Sequence, residues 1–269
     1  MYGFIFRSRR LDFTPGAPRL MGILNVTPDS FSDGGSYLDP QRAVEHALQM
    51  ERDGAAIIDI GGESTRPGHV PVPPQEQLRR ILPVIAGVRE QSAVPVSVDT
   101  THAAVAEAAL AAGADIVNDV SCLADPAMPE VLARYSAGCV AMHCRQLAPD
   151  EDAVRVVAGE LSACIDRAAG QSGLSREHFM VDPGVGFGKS DPQTDQLLQR
   201  LGQLHECGCA VLLGISRKSY LGRRFGRPLP ADRLDATLAM SFLCRRDCEV
   251  MRVHDVPEHR KILSALAGE

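Results

Sequence analysis

The sequence has no run of about 18 consecutive apolar residues, which is the length that a transmembrane helix needs. Its amino terminus also lacks the pattern of a secretory signal, because a short apolar run precedes the first arginines and no longer apolar run follows them. We therefore expect no membrane-spanning segment and a cytoplasmic location.

Positive charge is not in excess either. The 28 Lys and Arg residues are outnumbered by 34 Asp and Glu residues, which gives a formal net charge of -6. Binding to nucleic acid or to an anionic membrane requires a basic surface. We therefore expect neither partner, although a few well-placed cations in a cleft can still bind a small anionic substrate.

The eight cysteines lack the spacing of a zinc site. Cys207 and Cys209 are close in sequence, as are Cys244 and Cys248, but neither pair is joined to a second Cys or His pair at zinc-finger spacing. The sequence therefore predicts free thiols, most of them buried.

What the sequence does contain is a regular alternation over its 269 residues, 45% of them hydrophobic. Short runs rich in Val, Ile and Leu alternate with longer amphipathic stretches, which is typical of parallel strands buried on both faces and separated by helices. The predicted strands cover residues 20–26, 55–60, 94–98, 115–118, 138–142, 179–181, 210–213 and 249–253. The predicted helices cover residues 40–52, 75–91, 103–112, 150–171, 191–205, 232–246 and 258–266, and Asp-Pro at 39–40 and at 125–126 indicates a helix start.

Eight strand–helix units favour a closed barrel, which typically needs about 250 residues. The alternative is an open doubly wound sheet, for which a glycine-rich phosphate loop after the first strand would be expected. Here the first strand is followed by Asn-Val-Thr-Pro-Asp at 25–29. We therefore predict an α/β fold, a (β/α)8 TIM barrel, in one domain over residues 1–269. The barrel proper covers residues 20–267, and residues 2–13 form a short hairpin over its bottom.

Polar residues follow nearly every predicted strand. A single Asp or Asn at such a place is equally well explained as a helix cap. A barrel, however, brings all of its strand ends to one mouth, where barrel enzymes carry their active sites. These strand-end residues are Asn25, Asp99, Asn118, Asp119, His143, Asp182, Lys218, Arg252 and His254, with glycine-rich loops at 61–68 and 184–188.

The cations in this set suit an anion. Arg66, Arg252 and His254 offer several donors for phosphate oxygens, and Lys218 adds a compact charge. Asn25 offers a neutral oxygen to a Mg²⁺ ion that keeps most of its waters and also binds a phosphate. The sequence therefore predicts an anion site with Mg²⁺ as its cofactor.

The remaining residues suit a flat polar ring. Asp99, Asn118 and Asp182 provide acceptors and donors for the edge of a heterocycle. Met142 and Phe187 could pack on the faces of such a ring, and ordinary core packing explains them equally well.

At these residues the chain resembles the bacterial dihydropteroate synthases. Two long loop motifs carry the resemblance, Asn-Val-Thr-Pro-Asp-Ser-Phe-Ser-Asp-Gly-Gly at 25–35 and Asp-Ile-Gly-Gly-Glu-Ser-Thr-Arg-Pro-Gly at 59–68. Shorter motifs follow in the family order at 97–100, 118–119, 182–189, 216–219 and 252–255. The resemblance spans roughly residues 20 to 260. It implies an enzyme, a transferase of folate biosynthesis that joins 6-hydroxymethyl-7,8-dihydropterin pyrophosphate to p-aminobenzoate and releases pyrophosphate. It further implies a homodimer and a target of sulfonamides.

The resemblance also implies a role for individual residues. The pterin would contact Asp99, Asn118, Met142, Asp182, Phe187, Gly214 and Lys218. The pyrophosphate would contact Asn25, Thr65, Arg66, Arg252 and His254, with Mg²⁺ on Asn25. The p-aminobenzoate would contact Ser30, Phe31, Thr65, Arg66, Pro67, Lys218 and Ser219. The catalytic residues would be Asp99, Lys218, Arg252 and His254.

One loop departs from the family pattern. Family members commonly follow Met-His after the fifth strand with a methionine-rich loop, whereas here His143 is followed by Cys-Arg-Gln-Leu-Ala-Pro at 144–149. Two other functions stay open. A methyltetrahydrofolate–corrinoid methyltransferase would share the pterin pocket but needs no pyrophosphate site, and a non-catalytic pterin-binding paralogue would be favoured by the loss of a loop motif.

Overall fold

The computed structural model describes residues 2–27, 39–63 and 71–267. Its centre is a closed barrel of parallel strands, with each strand paired to the next in sequence and the last paired to the first. The barrel strands are β3 (Arg19–Asn25), β4 (Ala55–Gly61), β5 (Val96–Asp99), β6 (Ile116–Asp119), β7 (Gly138–Met142), β8 (Phe179–Asp182), β9 (Ala210–Leu213) and β10 (Val250–Val253). The predicted TIM barrel is therefore confirmed, and the open sheet is excluded.

Helices cover the outside of the barrel. They are α1 (Pro40–Arg52), α2 (Pro74–Gln91), α3 (Ala103–Ala111), α4 (Met128–Tyr135), α5 (Ala153–Ser172), α6 (Asp191–Gln199), α7 (Ser219–Phe225), α8 (Leu234–Cys244) and α9 (Val256–Ala267). Short 3-10 turns lie at Arg176–His178, Leu201–Cys207 and Pro230–Arg233. Within the described ranges, every helix is too short or too polar to cross a bilayer.

Side-chain caps fix where several helices begin. The Asp39 carboxylate accepts a hydrogen bond from the backbone of Gln41 at 2.9 Å, and Pro40 occupies the first helical position of α1. Asp152 caps α5 in the same way. Ser190 and Gln193 form a reciprocal capping box at the start of α6. These local signals explain why α1 has the predicted bounds.

The structure corrects three helix predictions. The predicted helix over 191–205 ends at Gln199 and continues as a 3-10 turn, because Arg200 has a non-helical φ of -121°. The helix start predicted at Asp125 lies three residues later, since α4 begins at Met128; the Asp125 carboxylate accepts from the backbone of Ala127 at 3.0 Å and also from that of Ala103, at the start of α3, at 2.9 Å. The short helix α7 was not predicted.

A hairpin closes the bottom of the barrel, as predicted from residues 2–13. Strands β1 (Gly3–Phe6) and β2 (Arg9–Asp12) pair antiparallel. Phe4, Phe6 and Phe13 are buried against the inward side chains at the amino-terminal ends of the barrel strands. All eight cysteines are free and all but Cys122 and Cys144 are buried, as predicted.

The alternation of side chains along each strand decides which residues face the inside of the barrel, since every second residue points inward. Ile57 and Met180 belong to the apolar cluster at the bottom, whereas Ile58 and Val181 pack outward against the helices. Two residues after Ile57, and two after Met180, the inward positions are Asp59 and Asp182. The barrel interior therefore changes from apolar to polar toward the carboxyl ends.

Candidate active site

A cavity of about 280 Å³ opens at the carboxyl ends of the barrel strands. Of the predicted site residues that the structure describes, all but Asp99 line it. They are Asn25, Asn118, Met142, Asp182, Phe187, Gly214, Lys218, Ser219, Arg252 and His254. These residues span most of the sequence, and the barrel brings them to one mouth.

The floor of the cavity is an ion-pair centre around Arg252. Its Nε donates to Asp59 Oδ2 at 2.6 Å, and its Nη2 donates to Asp99 Oδ2 at 2.8 Å. Asn118 Nδ2 also donates to Asp59 Oδ2, at 3.0 Å. Asp99, which does not line the cavity, is thus linked to it through the guanidinium of Arg252. The centre ties β4, β5, β6 and β10 together.

This centre holds two carboxylates against one guanidinium. Burial raises the pKa of Asp99 to about 7, the charge of Arg252 opposes the rise, and the charge of Asp59 adds to it. Burial acts to lower the pKa of Arg252, but Asp59 and Asp99 outweigh it and leave that pKa raised. Among the described residues, neither Asp59 Oδ1 nor Asp99 Oδ1 has a hydrogen-bond partner. A ligand with N–H or O–H donors would satisfy such acceptors.

A second pair of opposite charges lies at the side of the cavity. Burial raises the pKa of Asp182, and the charge of Lys218 opposes that rise. Burial lowers the pKa of Lys218 to about 8, and Asp182 opposes that change in turn. A Cβ atom at Gly214 would lie 3.4 Å from Asp182 Oδ2 and 3.9 Å from Lys218 Nζ. Glycine at this position therefore keeps open the space beside both groups.

Met142 and Phe187 provide apolar surface for a flat ring. Met142 is almost fully buried at the end of β7 and lines the cavity. Lys218 Nζ lies 4.9 Å from the centroid of the Phe187 ring, within cation–π distance. Lys218 also donates to the carbonyl of Val185. The cavity thus combines a carboxylate, an amide and an ammonium group with two apolar walls.

The outer part of the cavity contains Asn25 and His254. His254 Nδ1 lies 2.9 Å from the hydroxyl of Ser216, which also lines the cavity. Asn25 is partly exposed at the end of β3. Its amide oxygen is a hard, neutral donor and fits a Mg²⁺ ion that takes its other ligands from water and phosphate.

Five predicted site residues lie outside the described ranges. They are Ser30, Phe31, Thr65, Arg66 and Pro67. Their assignment to p-aminobenzoate or to pyrophosphate stays a prediction.

Asp59 is the site residue that the sequence analysis missed. It is fully buried, and it contacts both Arg252 and Asn118. The signal was a carboxylate inside an otherwise apolar strand, Ala-Ala-Ile-Ile-Asp-Ile-Gly, on the same face as Ile57. Because that strand is buried on both sides, a charge there requires a partner inside the barrel.

The fold and the cavity define a (β/α)8-barrel enzyme with a charged, ring-sized slot at the carboxyl ends of its strands. Comparison with known proteins narrows this class. Residues 21–254 match the family of pterin binding enzymes. A dihydropteroate synthase of Clostridium beijerinckii is 40% identical over 245 residues, which cover 90% of this chain and 90% of that protein.

Solved structures agree. A Xanthomonas albilineans dihydropteroate synthase in complex with 7,8-dihydropteroate superposes with a TM-score of 0.88 at 39% identity, covering 98% of each chain. A Yersinia pestis dihydropteroate synthase with a sulfonamide drug gives a TM-score of 0.88 at 36% identity, covering 99% of this chain and 100% of that one. The chain therefore belongs to the pterin-binding enzymes and, within them, to the dihydropteroate synthases, which are transferases.

Proposed function

We propose that this chain condenses 6-hydroxymethyl-7,8-dihydropterin pyrophosphate with p-aminobenzoate to form 7,8-dihydropteroate and pyrophosphate. The observation that carries the proposal is the slot in which Asn118, Asp182 and Lys218 surround a cavity walled by Met142 and Phe187. A pterin is a flat heterocycle with N–H donors along one edge and apolar faces, and both features have counterparts in this slot. The related Xanthomonas enzyme is named in complex with the proposed product.

The pyrophosphate would lie beside Asn25 and His254 and would extend toward the Arg252 guanidinium, since all three residues line the cavity. Arg252 has five N–H donors, and Asp59 and Asp99 take two of them. Asn25 would hold Mg²⁺, which supplies charge that stabilises the departing pyrophosphate. Thr65 and Arg66 are proposed to complete this anion site.

Bond breaking would place negative charge on the pyrophosphate oxygen, close to Arg252 and His254. Positive charge would develop on the pterin methylene, where the buried carboxylate of Asp99 could stabilise it. The arylamine then attacks as a neutral nucleophile, so this route requires no strong general base. Without p-aminobenzoate, such a route predicts positional isotope exchange in the pyrophosphate ester, and a result without exchange would count against it.

The p-aminobenzoate would bind at Ser219 and Lys218, with Ser30, Phe31, Thr65, Arg66 and Pro67 completing its site. A sulfonamide should compete for that site, since the related Yersinia enzyme is named in complex with one. Competition with p-aminobenzoate, and not with the pterin substrate, is the expected pattern of inhibition. Inhibition that follows the pterin concentration would contradict this placement.

We also propose that the chain forms a homodimer in the cytoplasm. Phe225 on α7 and Leu243 on α8 are exposed, and these helices contact each other. Contact with a second copy of the chain would remove these two apolar side chains from water, which favours association. Light scattering should give twice the 28.9 kDa mass of the chain, and a monomer mass at micromolar concentration would contradict the proposal.

The test of the activity is product formation from both substrates with Mg²⁺, measured by chromatography of 7,8-dihydropteroate. We expect product that depends on both substrates and is lost when the metal is chelated. Methyl transfer from methyltetrahydrofolate to a corrinoid protein would favour the methyltransferase. Pterin binding without product would favour the non-catalytic paralogue.

A further inference from the structure

The loop over residues 183–189 forms one wall of the slot, since Val185, Gly186 and Phe187 line it. Its backbone takes left-handed conformations at Gly184, with φ of 69°, and at Gly188, with φ of 64°. A Cβ atom at Gly184 would overlap the carbonyl oxygen of His143, and one at Gly188 would lie 2.7 Å from Gln146 Cα. The loop therefore packs its backbone directly on the residues that follow β7.

Lys189 fastens the end of this loop. Its Nζ donates to Nδ1 and to the carbonyl oxygen of His143, both at 2.6 Å. The His143 ring is buried, and its Nε2 lies 2.9 Å from Glu160 Oε2 on α5. Because Nδ1 accepts from the ammonium group, the ring proton is assigned to Nε2, which donates to Glu160.

Arg145 completes the chain of contacts. Its Nη2 donates to Glu160 Oε1 at 2.7 Å and to Glu151 Oε1 at 3.1 Å. We call Lys189, His143, Glu160 and Arg145 the Lys189 clamp. Arg145 lies in the loop that departs from the family pattern, so this chain fills that part of the structure with a polar network.

The Lys189 clamp contacts the loop that forms the wall of the slot, on the side away from the cavity. Lys189 is not among the residues that line the cavity, whereas Phe187 and Val185 both line it and both contact Lys218. A shift of the loop would therefore move an apolar wall and a carbonyl partner of Lys218 together. It would leave Ser219, on the other side of Lys218, in place at the start of α7.

We propose that Lys189 is a positioning residue for the pterin, which fixes the Val185–Phe187 wall through His143 and Glu160. The inference rests on the proposed function for the identity of the ligand. It predicts a larger effect on the pterin than on p-aminobenzoate, because the Val185–Phe187 wall lines the pterin slot directly and contacts the described p-aminobenzoate residues only at Lys218, which belongs to both sites.

The electrostatics of the clamp agree with this role. Burial lowers the pKa of Lys189 to about 7, and the charge of Asp182 opposes that change. Burial and the neighbouring Lys189 also lower the pKa of His143, while Glu160 opposes the change. The fold thus holds an amine at a place that disfavours its charge, which is more common at functional sites than elsewhere.

The test compares Lys189→Met with Lys261→Met, which removes an exposed lysine on α9. In Lys189→Met, the KM for dihydropterin pyrophosphate should rise about tenfold or more, while the KM for p-aminobenzoate stays within about twofold. Lys261→Met should leave both values unchanged. An unchanged pterin KM, or an equal rise in both KM values, would overturn the proposal.

Two further measurements guard against a misfolded variant and separate this proposal from the proposed function. Glu160→Ala alters only the partly exposed end of the clamp, where the carboxylate accepts from both His143 and Arg145, and should raise the pterin KM about threefold or more because the hydrogen bonds to both groups are lost. Hydrogen exchange at residues 183–189 should be faster in Lys189→Met than in Lys261→Met, whether or not the protein is active. Equal exchange in the two variants would refute the clamp, whereas a wild type without product would refute only the function.

Discussion

At the amino-terminal ends of the barrel strands, Ile57 and Met180 pack against Phe4 and Phe6 of the hairpin. Two residues further along the same strands, Asp59 and Asp182 occupy the inward positions. One end of the barrel is therefore apolar and closed, whereas the other is charged and open to a cavity. The same strands produce both ends, since a step of two residues keeps the side chain inside the barrel.

The two ends of the barrel therefore have different roles, one in stability and one in binding. The closed end buries aromatic and aliphatic side chains, each of which stabilises the fold by about 1.5–3 kcal/mol. The open end buries carboxylate oxygens without partners, each of which costs about 1–3 kcal/mol. The bottom of the barrel thus offsets the cost of keeping a binding site at the top. Substitutions at the two ends should accordingly affect stability and activity to different degrees. The four variants below run from the largest to the smallest expected effect on kcat/KM.

Arg252→Met should give the largest loss. It leaves Asp59 and Asp99 as unpaired buried charges, which lowers the free energy of unfolding by about 3–5 kcal/mol. It also removes charge beside the proposed pyrophosphate site, which should lower kcat/KM about 10³-fold. Steady-state kinetics and urea unfolding measure the two effects.

Arg246→Met is the matched control, because Arg246 is exposed just before the other end of the same strand. Neither its stability nor its kcat/KM should change. The double variant Arg252→Met with Asp59→Asn should recover part of the lost stability and none of the activity. Full activity in Arg252→Met would contradict the account of the open end.

Asp182→Asn should have the next largest effect and separate activity from stability. Asp182 Oδ1 accepts from the backbone of Gly184 at 2.7 Å, which leaves Oδ2 for the pterin edge. An amide has one oxygen and cannot accept from both, so kcat/KM should fall about 100-fold. Because burial raises the pKa of Asp182, removing its charge should leave the melting temperature unchanged or higher. Asp150→Asn, at an exposed position, is the control for both measurements. A fall in stability that matches the fall in activity would show that Asp182 is a structural residue.

The pH dependence should show the raised pKa of Asp99. Below a pH of about 7 this carboxyl takes up a proton, loses its charge beside Arg252 and Asp59, and can no longer stabilise a cationic pterin. We expect kcat/KM to fall about tenfold per pH unit below that value. In Asp99→Asn the profile should be lower and should lose this acid limb, while the titration of Lys218 near pH 8 should remain. An unchanged acid limb would assign the titration to another group.

The same carboxyl also links stability to pH. Its folded pKa of about 7 lies above the ordinary value of 3.8, so the folded protein holds this proton more tightly. The resulting stabilisation is complete below the ordinary pKa and is lost as the pH rises through about 7. Asp99→Asn should therefore reduce the change in unfolding free energy between pH 5 and 8.

Phe6→Ala should have the smallest effect on kcat/KM and a large effect on stability. The Phe6 side chain is fully buried at the closed end, so its loss should lower the free energy of unfolding by about 3–5 kcal/mol. Phe6→Leu fills most of the space and should cost less. At a temperature where all three proteins are folded, their kcat/KM values should agree. A loss of activity in the folded alanine variant would mean that the two ends are not independent.

The sequence was sufficient to predict the barrel, because its strands are continuous apolar runs and most of them are followed by a helical pattern. It was also sufficient to place Asn118, Asp182 and Lys218 at one mouth, since parallel strands bring their carboxyl ends together. Asp59 was missed because it lies within a predicted strand, where alternation and not strand ends decides what faces the cavity.

The remaining differences arise from tertiary contacts. Asp125 accepts from the nearby backbone of Ala127 and also from the amino terminus of α3, and no local pattern of residues around 125 indicates the second contact. The clamp joins residues 143 and 145 of one loop to residues 160 and 189 of two other segments, so their spacing carries no signal. Short helices such as α7 have too few residues to show the helical repeat of apolar positions.

The central claim is that the open end of this barrel is a pterin slot, and a crystal structure of the chain with 7,8-dihydropteroate tests it most directly. We expect the pterin ring to lie between Met142 and Phe187, with its N–H edge on Asp182 and Asn118. A product bound elsewhere, or a pterin ring that contacts neither carboxylate nor amide at the carboxyl ends of the strands, would contradict the claim.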